Sequence, residues 1–245
     1  MAKTSLAGFP QTAAVDIYAN TADQQMPIGA YMETPDGRGF RYFKNGAVAT
    51  VAGKVYQSSA LDATNDQPSG GLGVNAAAAI GDTTIVTSTS TTWSANQFAG
   101  GYLSVNVTPG QGYLYKIKSN TATSGATGGT IVLEDPLVVA LTTSSKFIVV
   151  AHPYNGAVIE PGTPTGVILG VAHCIVTANY YGWIQTKGVA SVLFTGTGAA
   201  GKAVGSLSGG TSGSAAPAIA ATNILGYHVA TGITTEYALI NLAIG

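Results

Sequence analysis

The sequence predicts an all-β protein made of two small β-barrel or sandwich units and an extended N-terminal arm. Short β-branched and aromatic runs alternate with turn residues at the spacing typical of barrels and sandwiches. Charged residues are only 9% of the 245 residues and hydrophobic residues are 46%, which excludes a disordered chain. The two alanine-containing stretches, 75–80 and 215–221, are too short or too interrupted by proline to predict a long helix.

Residues 1–35 show neither a helical nor a strand period, and their apolar residues are isolated from one another. This pattern fits either a frayed terminus or an extended arm that lies on a neighbouring subunit. We favour the arm, because the isolated apolar residues have no periodic face of their own to bury. Phe9, Ile17 and Tyr18 are therefore predicted intersubunit contacts.

Residues 36–73 predict a β-hairpin followed by a linker. A turn at 36–39 precedes a strand at 40–44, and Asn45-Gly46 is a strong hairpin signal before a return strand at 47–52. A further short strand follows at 55–57. The composition of 61–73 (LDATNDQPSGGLG) is that of a linker.

Residues 74–155 predict a separate β unit, because strand-like runs recur between turn clusters. The Tyr115–Lys118 segment alternates apolar with charged residues, as expected for a half-buried strand. The predicted strands lie at 83–87, 98–106, 112–119, 130–133 and 146–151.

Residues 156–245 predict a C-terminal β domain in which Gly188 turns the chain between two strands and 205–217 is a surface loop. The 44–55 and 187–204 segments echo each other, through either duplication or convergent hairpin chemistry. In both cases the first and last segments can pair into one barrel, with 74–155 inserted between them. The predicted strands lie at 167–177, 180–187, 189–194, 224–229 and 237–244.

The stretch Gly196–Ala203 (GTGAAGKA) resembles glycine-rich phosphate-binding loops. Such a loop needs a helix N-terminus after the glycines, because the phosphate is bound there. The following residues, AVGSLSGGTSGS, do not predict a helix, and Ala203 replaces the hydroxyl residue that would bind Mg²⁺. We therefore interpret this stretch as a hairpin turn and predict no bound cofactor.

The remaining reactive residues predict no catalytic or metal site. His152, His173 and His228 lack a metal-binding spacing, and His173 and Cys174 are adjacent on a strand, so their side chains point to opposite faces. A single cysteine cannot form an intramolecular disulfide. A glycosidase carboxylate pair or a zinc site assembled from distant segments stays open, and either would require a concave pocket.

Tyr181 and Trp183 lie on the same face of a predicted strand. They could form a platform that stacks against a sugar. The alternative, which we favour, is that they are buried in the barrel or in a subunit contact. Both are therefore predicted, like the arm residues, as intersubunit contacts.

Partners with strong electrostatic or lipid requirements are not predicted. The net charge is −1 and there is no run of Lys and Arg, so nucleic-acid binding lacks its electrostatic basis. No apolar stretch approaches the length that a membrane helix needs, and the N-terminus has no apolar core of a secretory signal. The scarcity of surface charge predicts instead that much of the surface is covered in an assembly.

Three segments carry a resemblance to a known class of proteins. They are 96–103 (NQFAGGYL) with 112–119 (GYLYKIKS), 133–137 (LEDPL) and 180–188 (YYGWIQTKG). In this order they resemble head-associated structural proteins of tailed phages, particularly phages of aquatic bacteria. The resemblance covers about residues 36 to 245 and supplies no catalytic residues.

The resemblance implies a capsid decoration, or cement, protein that is not an enzyme. Such a protein would bind the major capsid protein on the outer surface of the virion, as a homotrimer or other homo-oligomer, after assembly in the host cytoplasm. The alternative is a head fibre, tail or baseplate protein that binds host carbohydrate. That alternative predicts that Tyr181 and Trp183 are open to solvent.

Overall fold

A computed structural model describes residues 15–61, 71–88, 92–124, 128–206, 211–219 and 223–244. Within these ranges the chain forms strands and no helix, which confirms the predicted all-β class. Phe9 and most of the predicted linker lie outside the described residues. The strands are β1 (Tyr31–Glu33), β2 (Gly39–Asn45), β3 (Val55–Gln57), β4 (Leu72–Gly73), β5 (Thr84–Val86), β6 (Thr92–Trp93), β7 (Tyr102–Val107), β8 (Leu114–Asn120), β9 (Thr123–Ser124), β10 (Thr130–Leu133), β11 (Lys146–Val150), β12 (Asn155–Ile159), β13 (Ile168–Val171), β14 (Tyr181–Leu193), β15 (Ala203–Ser206), β16 (Ala215–Pro217), β17 (Ile224–His228) and β18 (Tyr237–Ala243).

The chain divides into two compact units. Unit 1 contains residues 1–60 and 153–245, and unit 2 contains residues 61–152. The first and last parts of the sequence therefore fold together, because β2 and β3 are hydrogen-bonded to strands that lie after residue 153. Each unit has apolar clusters of its own.

Five strands of unit 1 close into a barrel in the order β2–β12–β3–β13–β14, with β14 returning to β2. The β2–β12 pair is parallel and the other pairs are antiparallel. The interior is apolar because each strand contributes a buried residue to one cluster. These residues are Phe43, Tyr56, Ala157, Leu169 and Ile184.

Strand β14 joins the barrel to the remaining strands of unit 1. Its first half pairs with β2, and from Lys187 to Leu193 it pairs with β18. The register shifts between Gln185 and Lys187, and Gly188 has a φ of +80°. A Cβ at Gly188 would also lie 3.0 Å from Arg38 Cα. The predicted turn at Gly188 is therefore wrong: the residue is the bend of one continuous strand, which needs the positive φ that glycine tolerates.

Beyond the bend, β14 continues into a curled sheet in the order β14–β18–β17–β15–β16. The sheet curls because β16 returns to the end of β14 through a parallel bridge between Phe194 and Ala215. In β18, buried and exposed residues alternate strictly, so one side chain in two enters the core. The buried side includes Val192, Phe194, Val204, Leu225 and Ile240.

Unit 2 contains a six-stranded antiparallel sheet in the order β4–β11–β7–β8–β10–β5 and a two-stranded sheet of β6 and β9. The two end strands of the larger sheet meet through a bridge between Val74 and Thr87, so the sheet rolls up on itself. The five strands predicted from the sequence correspond to β5, β7, β8, β10 and β11. The buried side chains of the unit 2 core include Trp93, Phe98, Leu103, Ile117, Ile131 and Phe147.

Two further local predictions are wrong. Residues 47–52 form no strand, because the buried Asn45 side chain donates to the carbonyls of Val48, Val176 and Thr177 and so holds a loop there. The predicted 205–217 loop contains parts of β15 and β16. In both places, contacts between distant segments outweigh the local turn signal.

The barrel exterior offers a test of core packing in unit 1. Phe40 is fully buried in a cluster with Met32, Tyr42 and Trp183. We expect Phe40→Ala to lower the free energy of unfolding by about 3–5 kcal/mol, through lost burial and a residual cavity. Urea denaturation followed by Trp183 fluorescence in a Trp93→Phe background measures it.

The matched control is Val48→Ala, since Val48 is largely exposed. It should change the stability by no more than about 0.5 kcal/mol. Equal effects of the two substitutions would contradict the described packing of Phe40.

Candidate functional site

The described part of the N-terminal segment packs against its own unit. Val15, Ile17 and Met26 are partly buried on the cluster of Phe40 and Trp183, outside the barrel. Thr21 also forms a β-bridge with β14. The Ile17 side chain therefore makes its apolar contacts within its own chain. The cluster on the barrel exterior supplies the apolar surface that the neighbouring residues in the sequence do not.

Tyr18 points differently from Ile17 and is 60% exposed. Its ring packs on the imidazole of His173, with 5.3 Å between the ring centroids. Tyr18 is therefore anchored on one side and free on the other, which suits a contact with a ligand or a partner.

The predicted aromatic platform is not open to solvent. Trp183 is 1% exposed and packs edge-on against Tyr42, so it is a core residue and offers no side-chain surface to a neighbouring subunit. Tyr181 is half-buried, stacks on Tyr42 at 6.0 Å and has the Lys44 ammonium 5.6 Å from its ring centre. The alternation in the sequence located this apolar face correctly, and the N-terminal segment covers it.

His173 connects this segment to the barrel. Its Nε2 lies 2.8 Å from the Ile17 carbonyl oxygen, so the ring donates from Nε2, and its buried Nδ1 has no partner among the described residues. Burial lowers the pKa of His173 from 6.5 to about 4, and the nearby Arg38 acts in the same direction. The imidazole is therefore neutral at pH 7 and stabilises the docked segment.

A concave pocket of about 350 Å³ opens beside His173 in unit 1. It runs along β14 just after the bend, where this strand has left β2. The wall combines two tyrosines, one arginine, an amide and small apolar residues. The lining residues are Tyr18, Arg38, Ala52, Gly53, Val171, His173, Gln185, Val189, Ala190, Ser191 and Tyr237.

Gln185 is held in the pocket wall by the bend itself. Its side chain is 2% exposed, and Nε2 donates to the carbonyl oxygens of Lys187 and Val189. The Oε1 atom accepts no hydrogen bond from the described residues and is not fully enclosed by the protein. An oriented acceptor is therefore left on the pocket wall.

Arg38 and Tyr237 both line the pocket. Arg38 uses Nε to donate to Asp36 at 2.8 Å, and its Nη atoms donate to no described residue. The Tyr237 ring lies against Gly53, where a Cβ would come within 2.3 Å of Cε1. Both side chains therefore have fixed positions and free polar ends.

The lining residues of this pocket include no carboxylate and no thiol. His173 contributes its ring face, but its Nδ1 is sealed and its Nε2 is occupied. The groups available are hydrogen-bond donors and acceptors, two phenol rings and one cation. This arrangement suits binding and gives no acid–base pair for hydrolysis.

Two further buried ionisable groups lie away from this pocket. Glu160 is fully buried, and burial raises its pKa, while the nearby amides of Gly162 and Gly213 offset part of that rise. His228 is buried against Phe194 and Gly198, and burial lowers its pKa. A Cβ at Gly198 would lie 2.0 Å from His228 Nε2, so glycine is required for this close approach. Both groups are enclosed by the fold rather than presented to a ligand.

The glycine-rich stretch at 196–203 is not the hairpin turn interpreted from the sequence, because it connects β14 to β15 and these strands are separated by β18 and β17 in the sheet. Strand β15 follows the glycines, and Gly198 pairs with Gly232 in an isolated bridge. Among the described residues, no group of three or more His, Cys, Asp and Glu side chains could hold a metal ion.

A scan against protein-family models and searches of curated proteins and solved structures found no match to this chain. No helix in the described ranges is long and apolar enough to cross a membrane.

A second surface of unit 1 carries almost no charge. After Lys202 the sequence contains a single charged side chain, Glu236. The side of the curled sheet that faces away from its core is nevertheless rich in apolar and aromatic groups. We call this surface the outer face, and it consists of Ile224, Tyr227, Val229, Leu239 and Asn241.

The buried histidines predict a loss of stability in mild acid. The unfolded chain takes up a proton on each histidine near pH 6.5, whereas folded His173 does so only near pH 4. The free energy of unfolding should therefore fall between these values, by up to roughly 1.4 kcal/mol per pH unit for this group. Urea titrations at several pH values measure it.

His173→Gln removes this titration and should flatten the slope relative to the wild-type chain. His228→Gln should flatten it as well, since the pKa of His228 is also lowered. Identical slopes for the wild type and His173→Gln would contradict a buried, neutral His173.

Glu160 predicts the opposite dependence. Because burial raises its pKa, the folded state is penalised as the pH rises above 4.5. Glu160→Gln should therefore stabilise the protein at pH 7 by about 1 kcal/mol or more. Chemical denaturation at pH 7 and pH 4 checks this, and the gain should shrink at pH 4. Destabilisation at pH 7 would show that the carboxylate has a stabilising partner.

Proposed function

We propose that this chain is a structural protein of a tailed-phage virion, a capsid decoration protein that binds the outer surface of the major capsid shell as a homo-oligomer. The observation that carries the proposal is the outer face of unit 1. The resemblance of three ordered segments to head-associated phage proteins supports the choice of particle.

The outer face is unusual for a free monomer. Tyr227 and Leu239 are 52% and 45% exposed, and Val229 lies next to Leu239 through a hydrogen bond from its amide to the Leu239 carbonyl. Soluble monomers rarely expose contiguous apolar patches, and larger ones mark interaction sites. The lack of charge on β15, β17 and β18 removes the usual protection against association.

We assign a second copy of this chain to the outer face. Interfaces between permanent copies of one protein are more apolar than the interfaces of transient complexes. The outer face has aromatic and aliphatic groups, and Asn241 lies opposite Tyr227 in the strand pair. A self-association surface of this kind agrees with the homotrimer or other homo-oligomer that the resemblance implies.

An oligomer of this kind would stabilise a capsid by mass action. A protein that binds only the assembled shell lowers the free energy of that state, and several copies that contact each other bridge neighbouring capsomers. The protein needs no catalytic residues for this role. We therefore propose a structural rather than an enzymatic function.

The alternative is a head fibre, tail or baseplate protein that binds host carbohydrate. The burial of Trp183 removes the platform first considered for it. The pocket beside His173 is the observation that still favours this alternative. Immunogold labelling or a particle map that placed the protein on the tail would support it over decoration.

The outer face predicts the oligomeric state. A charge there would have to be desolvated, so Leu239→Lys should convert the oligomer to a monomer. Light scattering coupled to size exclusion, over a range of concentrations, measures the change. The matched control is Leu114→Lys, an exposed leucine on strand β8 of unit 2 that should leave the assembly intact. A wild-type chain that is monomeric throughout would overturn the assignment.

The cementing role predicts that particles carrying the protein survive heating and osmotic shock better than particles without it. Adding back the purified wild-type chain should restore survival, measured as DNA release and infectivity. Adding back Leu239→Lys should restore less, because single copies cannot bridge capsomers. Equal survival of particles with and without the protein would count against decoration.

A further inference from the structure

We infer that the pocket beside His173 is a binding site for a carboxylated sugar residue, of the uronate or sialate type. The inference rests on the pocket alone and does not depend on the decoration role. The pocket's size lies in the range of small-molecule sites, and its walls are prearranged by the barrel.

The aromatic groups suit the apolar face of a sugar ring. The phenol rings of Tyr18 and Tyr237 line the pocket and are each more than half exposed. Tyr18 is supported from behind by His173, and Tyr237 is supported by Gly53. Rigid aromatic side chains bury contact area at a low cost in conformational entropy, and their hydroxyls supply polar ends.

The polar groups suit the hydroxyls of a sugar. Gln185 Oε1 is an oriented acceptor, since Nε2 of the same amide is fixed by two carbonyl oxygens. The Ser191 hydroxyl lies on the same wall and can both donate and accept. A few fixed polar groups in a mostly apolar wall give orientation and specificity.

Charge selects an acidic sugar over a neutral one. Arg38 is the cation of the pocket lining, and no carboxylate lines the pocket in the described part of the chain. The bond to Asp36 uses only Nε, so both Nη atoms can donate to a ligand carboxylate. Paired donation from a guanidinium to a carboxylate is strong and geometrically specific.

Other anionic ligands fit less well. A phosphate site of the usual kind needs a helix N-terminus or a nest of backbone amides, and the described residues contain no helix. A metal ion would need oxygen or nitrogen ligands that converge, and His173 has neither ring nitrogen available. Aromatic rings with one cation and neutral acceptors match a carboxylated sugar better.

The test is a titration of the full-length chain with methyl β-D-glucuronide, followed by saturation-transfer NMR and calorimetry. Methyl β-D-glucoside and acetate serve as comparison ligands, because the glucoside lacks the carboxylate and acetate lacks the sugar ring. We expect the glucuronide to bind at least about tenfold more tightly than either. Equal binding of glucuronide and glucoside, or no binding of the glucuronide, would overturn the inference.

Variants separate the contributions to binding. Arg38→Gln should abolish the preference for the glucuronide, whereas Lys118→Gln, on β8 of unit 2, makes the same change of net charge and should keep it. Ser191→Trp should block the pocket, since Ser191 lies on its exposed rim, while Ser144→Trp should not. Circular dichroism and denaturation curves confirm that each variant is folded. Undiminished binding by folded Arg38→Gln or Ser191→Trp would overturn the site.

Discussion

The bend in β14 is the constraint on which unit 1 depends. One strand closes the five-stranded barrel with its first half and starts the curled sheet with its second half. The bend requires Gly188 at a positive φ and the close approach of Arg38, and the Gln185 amide holds the two following carbonyls. The same geometry places the pocket, because Gln185 before the bend and Val189, Ala190 and Ser191 after it line its wall where β14 leaves β2.

The sequence predicted the fold class and most strands, because strand signals are local. Alternation in Tyr115–Lys118 and in β18 reports directly which side chains face a core. The hairpin at Asn45-Gly46 failed for the opposite reason. Asn45 hydrogen-bonds to Val176 and Thr177, more than 100 residues away, and no local pattern reports such partners. Gly188 failed similarly: a positive-φ glycine fits a turn and a bend equally well.

The candidate site was less predictable than the fold. Tyr181 and Trp183 were recognised as one aromatic face, but the segment that covers it comes from residues 15–30, which have no period. Arg38, Gln185 and Tyr237 are unremarkable in sequence, and only the barrel closure and the bend bring them together. Tyr18 was singled out because the sequence gives it no local apolar partner; it packs on His173 and is 60% exposed, and its contact with another subunit stays a prediction.

The closure of the sheets also limits how many strand edges are available for pairing with another chain. A free edge strand offers backbone groups to another chain, and closure removes that route. In unit 1 the barrel strands form a ring and the curled sheet returns to β14 through the Phe194–Ala215 bridge, but β1 pairs with β2 alone among the described strands and keeps one free edge. In unit 2 the end strands meet at Val74 and Thr87. The longest described strands therefore offer few free edges, and the proposed association through the outer face uses side chains on a sheet surface. Such contacts depend on residue identity rather than on backbone pairing, so a chain poor in charge can form a defined assembly without open-ended aggregation.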